Sequence, residues 1–412
     1  MSKVVLMPHQ VKALHTLKNH NRCVLAMDMG TGKTHSSTEK LATFNFKYAL
    51  VVCQKSMLNT WKTHLETNYP EWKIVDYTKA KATIPDEKCV ILINYDLIFR
   101  RPELMRLKEL SVILDECTII SNPSARRTKA IFKLDIKNII MLSGTISKGK
   151  YENLYTIIRL VGWNISKKDF YSRYIVEREI KIKNTPFPIK VVVGYKNVEE
   201  LKFILRKYGF YFLKTEDVLS LPEQMFVKIE VDPISAYKKF QKDRLVEIDG
   251  TTLIGDCTLT RMLYERTLCS YHNKNKIEAF KDLIESTDDR LVVFYNFNKE
   301  LEVLLDAIGK RPFSIVNGSV KELYAYENHE DSITFVQYQA GAMGLNMQKA
   351  NKIIYYSLPL SCEFYMQSQK RIHRIGQSKP CFYYILETKD SVEVKIKEAL
   401  DKGIDFTNKL FE

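Results

Sequence analysis

Three short stretches of this 412-residue chain have residue types and spacing suited to a phosphate chain. The first is LAMDMGTGKT, residues 25–34. Gly30 and Gly32 let the backbone approach an anion and aim N–H groups at it. Lys33 brings a cation to the outer phosphates, and the Thr34 hydroxyl can reach Mg²⁺. The general spacing GxxxxGKS/T asks for glycine at position 27, where Met27 stands. The second stretch is LDECT, residues 114–118. A carboxylate at the end of an apolar parallel strand lies where α/β proteins bind ligands. Asp115 can hold Mg²⁺ directly or through water, and Glu116 can orient or deprotonate an attacking water. A lone Asp-Glu pair reads as a turn; ~80 residues after a GKT, it reads as the second half of a nucleotide site. The third stretch is QSQKRIHRIGQ, residues 367–377. If it is helical, the i,i+3 spacing puts Arg371 and Arg374 on one face. Taken alone, the two arginines fit solvated surface charge, a nucleic-acid contact or a pair of phosphate clamps.

These stretches need elements to hold them. Apolar runs at RCVLAM (22–27), YALVVC (48–53), CVILI (89–93), SVILD (111–115) and NIIML (138–142) predict strands, with helices over Lys33–Phe44 and Ser56–Tyr69 between them. Continuous apolar strands alternating with helices indicate a parallel sheet covered on both faces. The pattern returns with LVVFY (291–295), FSIV (313–316), SITFVQY (332–338), KIIYYS (352–357) and CFYYIL (381–386), and Ser391–Lys409 reads as a closing helix. Between the two lie helical pieces at 150–161, 197–207, 233–247 and 258–270, and a hairpin of IVEREIKIK and IKVVVGY joined by NTPFP. The expected organisation is a first α/β unit over 1–160, a reduced helical protrusion and linker over 161–275, and a second α/β unit over 276–412.

Composition narrows the class. A hydrophobic content of 45% and a charged content of 27% are those of an ordinary globular chain. The net charge of +14 favours an anionic partner, most simply nucleic acid. The eight cysteines form no CxxC pair, which argues against a zinc ribbon and for a reducing interior. No signal-peptide run or 18-residue apolar span is present, so no membrane association is expected.

Taken in order, the motifs resemble those of the Swi/Snf-type ATPases, the double-stranded-DNA translocases of helicase superfamily 2. MPHQVKAL looks like the adenine-reading Gln motif, and LAMDMGTGKT resembles LADEMGLGKT. VVCQKSMLNTW resembles the first DNA-contacting motif, with Trp61 where the family often has Trp. VILDECTIISNPSARRTKA resembles VILDEAHxxKNxxS, MLSGT resembles LTGTP, and VVFYNF resembles the motif that opens lobe two. The longest match is QYQAGAMGLNMQKANKIIYYSLPLSCEFYMQSQKRIHRIGQSKP, whose IHRIGQ ending is a family hallmark.

The resemblance implies two RecA-like parallel-sheet lobes with a short helical and hairpin insertion, ATP in the cleft between the lobes and DNA across both. It implies catalytic roles for Lys33, Asp115, Glu116, Gln367, Arg371 and Arg374, the two arginines acting as fingers from lobe two. Nucleotide contacts fall to Gln10, Met29, Gly30, Thr31, Gly32, Lys33, Thr34 and Gly344, and Mg²⁺ contacts to Thr34 and Asp115. DNA contacts by motif position are Lys55, Ser56, Asn122, Ser143, Gly144, Thr145, Asn317, Gly318, Ser319, Gln339 and Ala340. The partner implied is duplex DNA, the motor monomeric, the place cytoplasmic in a bacterial or phage-infected cell and nuclear in a eukaryote. The alternative activity is a strand-separating or branch-migrating DNA or RNA helicase. Departures bear on coupling: Cys117 and Thr118 replace Ala and His of the DEAH-like tetrad, Ile146 replaces Pro, QYQAG replaces STKAG, and Met27-Asp28 replaces Asp-Glu.

Overall fold

The computed structural model describes residues 5–28, 30–144, 151–180, 189–218, 220–341 and 345–402. The chain divides into two compact units, Met1–Leu219 and Ser220–Glu412.

Unit 1 is built on β1 (Arg22–Met27), β2 (Tyr48–Cys53), β3 (Lys73–Asp76), β4 (Cys89–Asn94), β5 (Leu110–Leu114) and β6 (Ile136–Leu142). The hairpin β7 (Ile175–Ile180) and β8 (Ile189–Tyr195) is antiparallel and follows, then β9 (Phe210–Leu213). The sheet order is β3-β4-β2-β5-β6-β1-β9, and every neighbouring pair is parallel. Side chains alternate across a strand, so the apolar runs must feed two cores. They do: Val24, Ala26, Leu50 and Val52 enter one cluster, while Cys23, Leu25, Met27, Val51 and Cys53 enter another.

Unit 2 contains β10 (Gln224–Val231), the small hairpin β11 (Leu245–Ile248) and β12 (Thr251–Ile254), then β13 (Leu291–Tyr295), β14 (Phe313–Val316), β15 (Lys321–Glu322), β16 (Ile333–Gln337), β17 (Lys352–Tyr355) and β18 (Cys381–Thr388). Its sheet runs β10-β18-β17-β13-β16-β14-β15, parallel except for the β14–β15 pair. Val292 and Phe294 face one core, and Leu291, Val293 and Tyr295 the other.

Two strands change the expected organisation. β9 pairs with β1, and β10 pairs with β18, so the stretch 161–275 is shared between the units and forms no separate body. Gly209 makes the β9 junction possible. It sits at φ +82°, and a Cβ there would lie 2.7 Å from the Arg22 carbonyl. The closing helix spans Val392–Asp401. The NTPFP turn, Met29, Thr145, Ile146 and Gly344 lie outside the described residues.

Candidate functional site

Parallel strands put their C-terminal ends on one side. In unit 1 this gathers the loops after the neighbours β5, β6 and β1: Asp115-Glu116, Ser143-Gly144 and the stretch from Asp28 to Gly32. Gly30 and Gly32 have φ of +83° and +78°, conformations that need glycine. The Lys33–Ala42 helix starts directly behind Gly32. The carbonyls of this loop are held from outside it. Gln10 Nε2 donates to Thr31 O at 3.1 Å and Gly32 O at 3.4 Å, and His9 Nε2 lies 2.9 Å from Thr31 O. Gln10 Oε1 accepts from the Met7 N–H at 2.8 Å. A Cβ on Gly32 would come within 2.0 Å of Gln10 Nε2. From the other side, Asp28 N–H donates to Leu213 O at 2.9 Å, and Asp28 Oδ2 accepts from Thr215 N–H at 3.3 Å. Lys33 Nζ donates back to the carbonyls of Met27 (2.9 Å) and Asp28 (3.2 Å).

Asp115 is fixed at the end of β5. Its N–H donates to Val52 O at 2.9 Å, and its Oδ2 accepts from Trp61 Nε1 at 2.8 Å. Tyr95 OH donates to Asp115 O at 2.7 Å. Burial raises the Asp115 pKa, against the Trp61 N–H and the Lys33 charge, which lower it. Glu116 has φ +48°, a conformation costly for a residue with a side chain and common at functional turns. Cys117 is fully buried and its thiol is pushed well above the ordinary range by burial, which makes it packing and not a nucleophile. The donor set suits a magnesium nucleotide. A hydroxyl at a helix start and one strand-end carboxylate leave the remaining positions to phosphate oxygens. Among the described residues no group of three or more His, Cys, Asp or Glu could hold a metal by itself.

Behind this site the helix Leu58–Asn68 presses Trp61 and His64 toward the Lys33–Ala42 helix. Thr38 Oγ1 lies 3.0 Å from His64 Nε2, and the His35 and His64 rings meet edge-on at 4.8 Å. Burial first, with His35 adding to it, lowers His64 to about 4.

In unit 2 the helix expected to present both arginines ends too soon. It covers Cys362–Gln369, so Arg371 and Arg374 stand in the following turns and the i,i+3 face does not exist there. Gln377 holds that turn, donating from Nε2 to Ala350 O at 2.8 Å, Gln348 O at 3.2 Å and Ile372 O at 3.3 Å. Gly376, at φ +94°, reverses the chain. The arginines still converge. Arg371 is 5% exposed with Nη1 3.5 Å from Leu345 O, and Arg374 Nη1 donates to Asn346 Oδ1. Gln367 is buried, with Nε2 donating to Glu363 Oε1 at 3.0 Å. His373 Nε2 lies 2.9 Å from Pro222 O, which ties this segment to the start of unit 2.

The group that organises the neighbouring loops carries no motif in the sequence. Glu300 is fully buried. Its Oε2 accepts from Asn296 N–H (2.6 Å), Phe297 N–H (3.0 Å) and Ser357 Oγ (3.0 Å), and its Oε1 accepts from Ser270 Oγ. Asn296 Nδ2 adds a bond to Ser357 Oγ at 2.7 Å, and Gln337 Nε2 reaches Asn296 O at 3.0 Å. One carboxylate thereby joins the loops after β13 and β17 to Ser270, and Gln337 at the end of β16 is held to them through Asn296.

The expected DNA-contacting residues fall on loops and turns within each unit. Lys55 and Ser56 follow β2, and Ser143 and Gly144 follow β6, buried at its end. Asn317, Gly318 and Ser319 follow β14, while Gln339 and Ala340 lie in the short helix after β16. Two asparagines have local work. Asn122 Oδ1 accepts from Ser124 N–H at 2.9 Å, and Asn317 Oδ1 accepts from Ser319 N–H (2.9 Å) and Val320 N–H (2.8 Å).

Two parallel sheets, a glycine loop leading into a helix, and a strand-end Asp-Glu are the frame of a helicase-like ATPase. The SNF2-related domain pattern matches residues 9–275, and the helicase conserved C-terminal domain pattern matches 275–376. The chain belongs to the SNF2-related family and is an ATP-hydrolysing, helicase-like enzyme. It is 23% identical to a "Probable global transactivator" of Orgyia pseudotsugata multicapsid polyhedrosis virus, over 99% of this chain and 91% of that protein. It is 23% identical to the SWI/SNF-related matrix-associated actin-dependent regulator of chromatin subfamily A-like protein 1 of Xenopus tropicalis, over 98% of this chain and 45% of that one. It is 22% identical to an ISWI chromatin-remodeling complex ATPase of Saccharomyces cerevisiae, over 95% of this chain and 39% of that one. The chain thus spans less than half the length of the last two relatives. A solved Sulfolobus solfataricus SWI2/SNF2 ATPase core in complex with dsDNA matches with a TM-score of 0.49 and 19% identity, over 97% of this chain and 92% of that one. No helix among the described residues is long and apolar enough to cross a membrane.

Proposed function

We propose that this enzyme is a duplex-DNA translocase that spends ATP to move along DNA and displace or remodel what is bound there. The observation that carries the reading is the company kept by the nucleotide loop. A chain of +14 net charge joins it to a second parallel-sheet unit carrying the RIHRIGQ segment. In this reading Lys33 leaves the carbonyls of Met27 and Asp28 for the outer phosphates. Gly30, Thr31 and Gly32, with Met29, offer backbone to the phosphates, while Gln10 and Gly344 contact the nucleotide. Thr34 and Asp115 hold Mg²⁺, which supplies neutralisation of charge on the phosphoryl oxygens. Glu116 orients the attacking water, and Trp61 keeps Asp115 aimed. Arg371 and Arg374, with Gln367 near them, come from unit 2 to stabilise charge on the transferring phosphoryl group, a contribution of ~10³–10⁵ in rate in comparable enzymes. The loops carrying Lys55, Ser56, Asn122, Ser143, Gly144 and Thr145 in unit 1 grip DNA phosphates. Those carrying Asn317, Gly318, Ser319, Gln339 and Ala340 do so in unit 2, and alternate closing and opening of the units moves the grip along the duplex.

Displacement of a third strand from a DNA triplex tests this directly. ATP-dependent displacement without separation of a forked duplex is the expected result. Separation of the fork without triplex displacement would replace the translocase by the helicase.

A further inference from the structure

On unit 1, the helices Arg126–Phe132 and Tyr155–Leu160 border a concavity of about 350 Å³. Its apolar lining comes from Pro123, Phe132 and Tyr155. Phe132, the last residue of its helix, is 44% exposed and borders the concavity. Three cations, Lys129, Lys133 and Arg159, complete the lining, and no carboxylate does. Lys129 and Lys133 are four residues apart and share one face, and among the described residues none of the three makes an ion pair.

Thr156 closes the floor of the concavity and is 1% exposed. An apolar concavity sized for one bulky side chain, ringed by cations that make no ion pair among the described residues, is complementary to one chemistry. We propose that this face docks a peptide segment rich in Asp and Glu that carries a large apolar anchor. The anchor packs against Phe132 and Tyr155, and the flanking carboxylates meet Lys129, Lys133 and Arg159. A DNA backbone fits less well, because it offers charge but no apolar group to cover Pro123, Phe132 and the Tyr155 ring.

Fluorescence anisotropy of the full chain with the labelled octapeptide EDEFLDEE tests the proposal, with EDESSDEE and a 20-bp duplex as comparison probes. EDEFLDEE should bind roughly ten-fold or more tighter than EDESSDEE, since only the first carries the anchor. The Lys129→Glu/Lys133→Glu double variant should lose roughly ten-fold of that affinity, and Phe132→Ser a similar amount. Basal ATP hydrolysis and the circular-dichroism melt of the two lysine changes should stay as in the parent chain. Equal binding of the two peptides would overturn the proposal, reducing the effect to attraction of acid by a basic protein. So would peptide affinity unmoved by the lysine pair or Phe132→Ser. If the lysine pair weakened the duplex alone, the face would be a DNA contact.

Discussion

At the strand ends of unit 1, the loop after β1 is shaped by backbone. Gly30 and Gly32 take left-handed conformations, and Gln10, His9, Leu213 and Thr215 hold it through main-chain atoms or the Asp28 carboxylate. At the strand ends of unit 2, the loops after β13 and β17 are joined by side chains around the buried Glu300 carboxyl group, and the end of β16 is held to them by Gln337. The difference is chemical. A loop that must bring N–H groups to phosphates needs bare backbone, and so is tethered from behind. Loops that must keep a fixed spacing can be cross-linked by one buried carboxyl group that satisfies several donors at once.

This contrast breaks in different ways when each end is cut. Lys33→Ala should lower the ATP hydrolysis rate most, by about 10²–10³-fold, through loss of the cation at the outer phosphates. Glu300→Ala should cost about 3–5 kcal/mol in a denaturant titration, because four donors lose one buried acceptor. Gly32→Ala should cost only about 1–2 kcal/mol, since Gln10 can swing aside, while nucleotide binding fails. A melt in which Gly32→Ala is the more damaging change would reverse the comparison.

Ionisation sharpens the same contrast. Burial holds the Asp115 carboxyl above its ordinary range, so the unfolded chain releases that proton first as pH rises. The stabilisation is present at acid pH and lost as pH climbs through the folded value. Asp115→Asn should therefore be inactive yet more stable than the parent at pH 7.5, the gain shrinking toward the carboxylate range. His64 runs the other way. With its pKa lowered from 6.5 to about 4, the unfolded chain takes the proton first, so stability is lost as pH falls through that window. His64→Gln should flatten this slope, the smallest of these effects, measurable from urea midpoints at pH 7.5 and 5.0.

Much of the frame was legible in the sequence. β1, β2 and β13 begin and end where the apolar runs do, because a strand buried on both faces has few polar positions to blur it. β9 and β10 escaped notice for opposite reasons. FYFL is only four residues long, and QMFVKIEV is an edge strand whose mostly exposed and half-buried residues read as connector. The arginine turn was misjudged because i,i+3 spacing carries no record of where a helix stops; Gln377 and Gly376 decide that. Glu300 left no trace, since one acidic residue near a helix start is ordinary until its burial is known.

The measurement that bears most directly on the central claim is steady-state ATP hydrolysis by the full chain, alone and with duplex DNA, single-stranded DNA or RNA, beside Lys33→Ala and Arg374→Ala. The account predicts strong stimulation by duplex DNA, abolished by both substitutions although they lie in different units. Full activity in Arg374→Ala, or stimulation by single strands or RNA and not by duplex, would contradict it.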